Sequence, residues 1–364
     1  MGERNHEVTR RQRLLNKEGG IAECGWSKSQ LQVYDRADIK ASKMRIKEWD
    51  YYLVMGQGFG VAFTISDDGY IGLQSASLLN FKENWEHTET VLNVFPMGKY
   101  HLPPSSEKGD TVYEDKRLQM KFQVKVSDDE DAALGKDDDK TGSRVRVLDC
   151  HFKNFYQGKD FECHIELNEP PMDSMVIATP WKNKKKAFYY NRKINCMRAK
   201  GYAEYDGIRY EFHPETDFGT LDWGRGVWTY DNTWYWGNGN CDIGGHSFGF
   251  NIGYGFGDTS AATENMLFYD GRAHKLDDIT FEIPLDDKGR EEYLKPWRFT
   301  SSDGRFEMDF VPVLDRAAHI SACIIESDQH QVFGKMSGKA ILDDGTVIEI
   351  KDCMCFAEKV HNRY

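Results

Sequence analysis

The sequence predicts an all-β protein made of two antiparallel β-barrel domains in tandem, with few short helices. Downstream of Trp49, apolar and polar residues alternate with a period of two in many short runs, and aspartate- and glycine-rich turns separate the runs. Aromatic residues also make up 13% of the chain, which contains 33 glycines. This combination suits barrels whose strands bend sharply around broad apolar side chains.

The elements of the first half follow from these patterns. A short helix is predicted over residues 8–17, since they are followed by Gly19 and Gly20, which can end a helix. An Asp-Asp-Gly turn at 67–69 connects a glycine-interrupted strand over residues 51–66 to a second strand over residues 70–79. An acidic, low-aromatic stretch at 127–143 is expected to be a mobile hairpin loop. Further strands are predicted over residues 118–126, 144–152 and 161–167.

The second half of the chain shows the same pattern of short alternating strands separated by turns. Asp206-Gly207 is a strong two-residue hairpin signal between strands over residues 200–205 and 208–212. Five more strands are predicted over residues 279–283, 306–313, 319–325, 332–342 and 347–351. The number of predicted strands is too large for one small barrel. We therefore expect an N-terminal barrel domain over residues 1–188 and a C-terminal barrel domain over residues 189–364.

The stretch from Gly219 to Gly257 holds four of the nine tryptophans and eleven of the 33 glycines. Glycine loses the most backbone entropy on folding, so this density needs a reason such as a bend or the close approach of backbone or ligand. Large side chains at 246, 248, 250, 252, 254 and 256 share one face of a strand, and the opposite face is nearly bare. We therefore expect a cavity here that holds a hydrophobic small molecule.

Bulk properties exclude several classes of function. The formal net charge of −12 argues against nucleic-acid binding, which needs a concentrated basic surface. No run is long and apolar enough for a transmembrane segment, and no signal-peptide core is present, so we expect a cytoplasmic protein. The eight scattered cysteines are expected to be reduced. Motifs for phosphate loops, dinucleotides and zinc are absent, so we predict neither a metal nor an organic cofactor.

Five segments resemble a known family. They are LLNKEGGIAECGW at 14–26, LDWGRGVW at 221–228, TWYWGNGN at 233–240, HSFGFNIGYGFGDTSAATEN at 246–265 and LFYDGRAHKLDDITF at 267–281. With them the chain resembles the domain-of-unknown-function 2804 family over nearly its whole length. More distantly, Asp222, Trp223 and Gly224 followed by Trp236 and Gly237 are similar to carotenoid 1,2-hydratase and related lipocalin-like proteins.

The resemblance implies two lipocalin-like β-barrels in tandem. It also implies, for the wider group, enzymes that hydrate or cyclise polyene and prenyl substrates by protonating an alkene, without a metal or organic cofactor. The hydratase-type pattern has a histidine beside the aspartate, whereas Leu221 and Trp223 flank Asp222 in this chain.

Protonation of an alkene needs a carboxylic acid in a dry pocket, because burial raises a carboxyl pKa and aromatic faces attract a cation. Asp222 is the first candidate acid, and its structural alternative is an ion pair with Arg225 or a turn cap. His246 could orient the acid or take a proton from the product cation; its alternative is a structural hydrogen bond. Asp258 is the third catalytic candidate, with capping as its alternative.

The remaining candidates are expected to bind the substrate. The alternative is core packing for Trp228 and Tyr254 and capping for Glu264. They are Trp223, Arg225, Trp228, Trp234, Trp236, Tyr254 and Glu264. Three functions stay open. The first is an acid-catalysed hydratase or cyclase acting on an apolar isoprenoid-like or polyketide-like molecule. The second is a carrier of a lipid or other hydrophobic ligand, and the third is a structural double barrel whose glycine-rich segment seals the domain interface.

Overall fold

The computed structural model of the chain describes residues 4–126, 143–322 and 325–363. Nearly all of the predicted acidic loop, and also Cys323, lie outside these residues. Within the described ranges, the helices are two short 3-10 turns, Arg36–Asp38 and Lys43–Arg45. Strands make up most of the rest.

Fifteen strands precede residue 228, and thirteen of them form the first sheet. β1 and β3 form a separate parallel pair. The strands are β1 (Gln12–Arg13), β2 (Gly25–Ser27), β3 (Gln32–Val33), β4 (Ile46–Gly56), β5 (Phe59–Asp67), β6 (Ile71–Asn80), β7 (Trp85–Val94), β8 (Thr111–Glu114), β9 (Leu118–Val126), β10 (Arg144–Tyr156), β11 (Lys159–Glu169), β12 (Met175–Trp181), β13 (Lys184–Tyr205), β14 (Ile208–Phe212) and β15 (Phe218–Val227).

Nine further strands form the second sheet. They are β16 (Asp231–Ile243), β17 (His246–Tyr254), β18 (Met266–Tyr269), β19 (Arg272–Lys275), β20 (Ile279–Glu282), β21 (Trp297–Ser301), β22 (Phe306–Ala322), β23 (Ile325–Ile341) and β24 (Val347–Arg363).

Both sheets are antiparallel and curl into half-barrels, which confirms the predicted all-β fold with two lipocalin-like barrels in tandem. The first sheet has the order β7-β6-β5-β4-β15-β13-β11-β10-β9-β8, with β12 and β14 added to β13 and β2 to β12. The second has the order β19-β18-β17-β16-β24-β23-β22-β21-β20. Side chains join the two sides of the first half-barrel: His87 Nε2 lies 2.9 Å from the Phe155 carbonyl oxygen.

Three hydrophobic cores follow from the period of two along the strands. The first core fills the interior of the first sheet, and the third core fills the interior of the second. Between them lies a core that contains side chains from both sheets, such as Leu53 of β4 and Phe356 of β24. We call this the inter-sheet layer. It also includes the buried polar residues Asn191, Lys193, Asp222, Asn251, Glu264, Gln331 and Glu358.

Two predictions about the first half are wrong in detail. Residues 8–17 form no helix, because Val8 and Leu14 are buried in extended chain and Gln12 pairs with Gln32; so short a segment has little intrinsic helical stability. The strand predicted over residues 51–66 is instead the hairpin of β4 and β5. Its turn contains Gly58 at φ +90°, which glycine adopts without steric cost.

The predicted boundary between residues 188 and 189 lies inside β13, which pairs with β15 of the same sheet. By sheet membership, the chain passes from the first sheet to the second between Val227 and Asp231. Asp222 therefore belongs to a strand of the first sheet. The division into two folding domains at 188 stays a prediction.

No helix among the described residues is long and apolar enough to cross a membrane.

Candidate functional site

The alternation along β15 separates the predicted site residues onto opposite faces. Trp223 belongs to the core inside the first sheet, and Arg225 is fully buried with it, its guanidinium 4.3 Å from the Trp223 ring centre. Arg225 Nη1 lies 3.0 Å from Asp50 Oδ1, so its ion pair is with Asp50. Asp222 contacts the inter-sheet layer through Lys193 and Asn191.

Asp222 is held by two partners from β13. Lys193 Nζ lies 2.9 Å from Asp222 Oδ2, and Asn191 Nδ2 donates a 2.6 Å hydrogen bond to Oδ1. The same Lys193 ammonium lies 3.9 Å from the centre of the Trp236 ring, a favourable cation–π distance. The predicted alternatives for Asp222 thus include an ion pair, but its partner is a lysine that the sequence analysis did not single out.

Glu264 is the second carboxyl group of the layer and is 2% exposed. It lies just before β18 and faces Gly253, where a Cβ atom would come 2.5 Å from Glu264 Oε1. Burial raises the pKa of Glu264 to about 7; Lys193 opposes this rise and Asp222 adds to it. Asn251 and Tyr189 lie near enough to lower the pKa. Neither carboxyl oxygen, however, has a partner with hydrogen-bonding geometry among the described residues.

Glu358 of β24 is the third carboxyl group, and it is not among the site residues predicted from the sequence. Its Oε1 accepts a 3.0 Å hydrogen bond from Trp234 Nε1, and its Oε2 accepts one of 3.0 Å from Gln331 Nε2. Burial raises the pKa of Glu358 to about 7, and the Trp234 hydrogen bond is the main opposing effect. A signal was present, since Glu358 continues the alternation of Phe356 and Val360 on one face of an apolar strand.

Aromatic rings cover this polar cluster. Tyr189 lies between Trp49 and Phe256, with ring centres 6.3 and 4.8 Å away and interplanar angles of 21° and 15°. Trp234 continues the row, 5.7 Å from Phe256. Trp228 meets all four rings edge-on, an arrangement that aromatic quadrupoles favour. We call these five rings the aromatic column.

The nearly bare face of β17 packs against the first sheet. A Cβ on Gly249 would meet Cys196 Sγ at 2.7 Å, and one on Gly253 would meet Glu264. Asn251 lies between these glycines and accepts a 2.7 Å hydrogen bond from Trp236 Nε1. The missing side chains therefore make room for β13 and for the Glu264 carboxyl group. The opposite face of β17, including half-buried Tyr254, packs in the core of the second sheet.

The other two catalytic candidates have contacts outside this cluster. His246 is exposed, and its Nδ1 lies 2.6 Å from Asp270 Oδ2. Asp258 Oδ1 accepts a 3.1 Å hydrogen bond from the Ser260 backbone, which is the capping arrangement named as its alternative. The structure thus groups Asp222, Glu264, Trp228, Trp234 and Trp236, and places the remaining candidates elsewhere. Groups of three or more potential metal ligands were not found among the described residues.

Three solved structures are similar to this chain. CghA with Sch210972 has 10% identity and a TM-score of 0.47, with 88% of each chain covered. A candidate AttH from Nitrosomonas europaea has 10% identity and a TM-score of 0.49, with 91% of this chain and 98% of that chain covered. Kievitone hydratase from Nectria haematococca has 9% identity and a TM-score of 0.45, with coverage of 87% and 88%.

Curated proteins provide no match to the chain. The family predicted from the five sequence segments is confirmed over almost the whole length. The chain belongs to the family described as Domain of unknown function (DUF2804), whose sequence model matches residues 5–364.

Proposed function

We propose that this protein is an acid–base enzyme that hydrates or cyclises an apolar small molecule in the inter-sheet layer, with Glu264 as the proton donor. One observation carries the proposal. Glu264 is a buried carboxyl group with a pKa raised to about 7, and it lies beside Tyr189 of the aromatic column. Such a group keeps its proton near neutral pH and can release it to a substrate.

Glu264 suits the role better than Asp222, the acid favoured by the sequence. Both Asp222 oxygens are already engaged, one by Lys193 and the other by Asn191. In contrast, the Glu264 oxygens lack partners with hydrogen-bonding geometry among the described residues. We assign Asp222 a positioning role, since it fixes the Lys193 ammonium beside Trp236 and close to both Glu264 and Glu358.

The proposed reaction balances without a further reactant. Glu264 transfers its proton to one carbon of an alkene, and the other carbon becomes a cation that the aromatic column stabilises. In hydration, water attacks this cation and returns a proton to the Glu264 carboxylate. In cyclisation, a second alkene or a hydroxyl group of the substrate attacks the cation, and the product loses a proton to the same carboxylate.

Turnover by matched variants tests this function. Purified protein is incubated with a panel of alkene-bearing isoprenoids and polyketides, and mass spectrometry detects the gain of one water or a new isomer. Glu264→Gln should reduce turnover by at least about 100-fold, the usual contribution of a general acid. The exposed Glu349 of β24 supplies the control Glu349→Gln, which should leave turnover unchanged. Wild-type turnover retained in Glu264→Gln would reject the donor role.

The same panel addresses the carrier alternative. A carrier would release each compound chemically unaltered, and Glu264→Gln would change only its affinity.

We further propose that the protein acts in the cytoplasm, because seven of its cysteines are free thiols in the described chain, as expected in a reducing compartment.

A further inference from the structure

The inter-sheet layer contains buried polar atoms that have no hydrogen-bond partner among the described residues. Native proteins satisfy most buried polar groups, so such atoms gathered in one place point to a missing bonding partner. Outside the Glu264 carboxyl group and the Tyr189 hydroxyl group that interacts with it, they are Asn191 Oδ1, Trp228 Nε1 and Gln331 Oε1.

The orientation of the two amide groups is determined by carboxylates. Asn191 Nδ2 donates to Asp222 Oδ1 at 2.6 Å, and Gln331 Nε2 donates to Glu358 Oε2 at 3.0 Å. The Asp222 carboxylate is paired with Lys193 and can only accept, so the Asn191 amino group must face it. The Gln331 amino group must likewise face Glu358 when that carboxyl group is ionised, which is above pH 7. The free atom of each amide is therefore a carbonyl oxygen, which can only accept a hydrogen bond.

These acceptors belong to the cluster described above. Asn191 follows Tyr189 on the same face of β13, and both are fully buried. Gln331 Nε2 also lies 3.4 Å from the hydroxyl group of Tyr51, whose pKa is raised mainly by burial and also by Glu358 and Asp222. A molecule lying against the aromatic column would thus meet an apolar surface edged by acceptors.

We propose that the substrate of this site is a ring compound that carries hydroxyl groups, which donate hydrogen bonds to Asn191 Oδ1 and Gln331 Oε1. The inference rests on the proposed function for the location of the site, and it adds the chemical class of the substrate. The ring body stacks on the aromatic column. A compound that lacks donors leaves the buried carbonyl oxygens unsatisfied, and this loses affinity.

Binding of three naphthalene probes to the full-length protein tests this class. The probes are 2-naphthol, which has a hydroxyl donor, 2-methoxynaphthalene, which can only accept, and 2-methylnaphthalene, which has neither capacity and is similar in size to 2-naphthol. Calorimetry at pH 8, where the Glu358 carboxyl group is mostly ionised, measures their affinities. We expect 2-naphthol to bind about tenfold more tightly than either other probe. Apolar burial alone would favour 2-methylnaphthalene over 2-naphthol.

A variant pair locates the preference. Gln331→Met removes the carbonyl oxygen at similar volume and should reduce the preference for 2-naphthol by at least threefold. The exposed Gln119 of β9 supplies the control Gln119→Met, which should retain the full preference. Circular dichroism verifies that both variants are folded, and the wild-type comparison of probes stands even if Gln331→Met is not.

The probe affinities and the variant pair decide two separate points, the class of ligand and the location of its site. Equal binding of the three probes, tighter binding of 2-methylnaphthalene, or absence of binding by all three would overturn the hydroxylated-ring inference, as expected if water satisfies the acceptors. A hydroxyl preference that Gln331→Met leaves intact would overturn the assignment to this site. The proposed function is tested separately by turnover in Glu264→Gln. If wild type prefers the hydroxyl probe but Glu264→Gln loses no turnover, the role of Glu264 as proton donor is contradicted, and the proposed class of ligand is still supported.

Discussion

Replacing Glu264 by glutamine should change how the stability of the protein depends on pH. In the folded protein the Glu264 pKa is raised from 4.5 to about 7, chiefly by burial. Between these two values the folded protein keeps the proton and the unfolded chain loses it, so the free energy of unfolding falls as the pH rises. The full difference corresponds to about 3 kcal/mol for this one group.

Urea unfolding at pH 5, 6, 7 and 8 measures this effect. Glu264→Gln has no proton to lose, so its free energy of unfolding relative to wild type should increase by about 2–3 kcal/mol between pH 5 and pH 8. Glu358 also has a pKa raised to about 7 and remains in the variant, so part of the wild-type pH dependence should persist. Glu349→Gln serves as the control and should follow wild type. A difference between Glu264→Gln and wild type that is constant across this pH range would mean that Glu264 does not hold a proton near neutral pH in the folded protein.

Three further predictions concern the same layer. If Glu264 is the donor, kcat/KM should fall as the pH rises through about 7, because the carboxyl group loses its proton; rates between pH 5.5 and 8.5 measure this. Lys193→Met should lower the free energy of unfolding by about 3–5 kcal/mol, since it leaves Asp222 buried without its ion-pair partner, and adding Asp222→Leu should restore part of that loss. Gly224→Ala should lower the free energy of unfolding by about 1–3 kcal/mol, because the added Cβ would lie 2.0 Å from the Trp49 ring. Urea unfolding measures the effects of Lys193→Met and of Gly224→Ala.

One result would contradict each of these three predictions. A rate that increases from pH 6 to pH 8 would assign the essential group as a base. A double variant less stable than Lys193→Met alone would show that the ion pair is not what makes the single change costly. An unchanged unfolding midpoint in Gly224→Ala would mean that Trp49 does not occupy the space beside Gly224.

The period of two along the strands was enough to predict the all-β fold and the two faces of β17. Its bare face was expected to border a cavity, but Gly249 and Gly253 make room for Cys196 and the Glu264 carboxyl group. Local sequence could not reveal this, because Cys196 lies on β13 and Glu264 lies in the segment before β18. Likewise, β13 passes through the predicted domain boundary as one strand of 22 residues. Its first three residues are all lysine, so they lack the alternation that indicates a strand.

The candidate site was predicted in part. The sequence pointed to Asp222 and the tryptophans, since they lie in one conspicuous stretch. The partners Lys193, Gln331 and Glu358 lie far from that stretch in sequence, on β13, β23 and β24, and only the pairing of sheets brings them together. The pKa of Glu264 is raised chiefly by burial, which its local sequence does not show, so the residue was predicted only to bind the substrate.

The proposed function requires a carboxyl group, buried between the two sheets, that holds a proton near neutral pH. Carbon-13 NMR of protein labelled at the glutamate side-chain carboxyl measures this directly, and Glu264→Gln identifies the signal that belongs to Glu264. We expect this signal to titrate with a pKa of about 7. Titration near the ordinary value of 4.5 would contradict it.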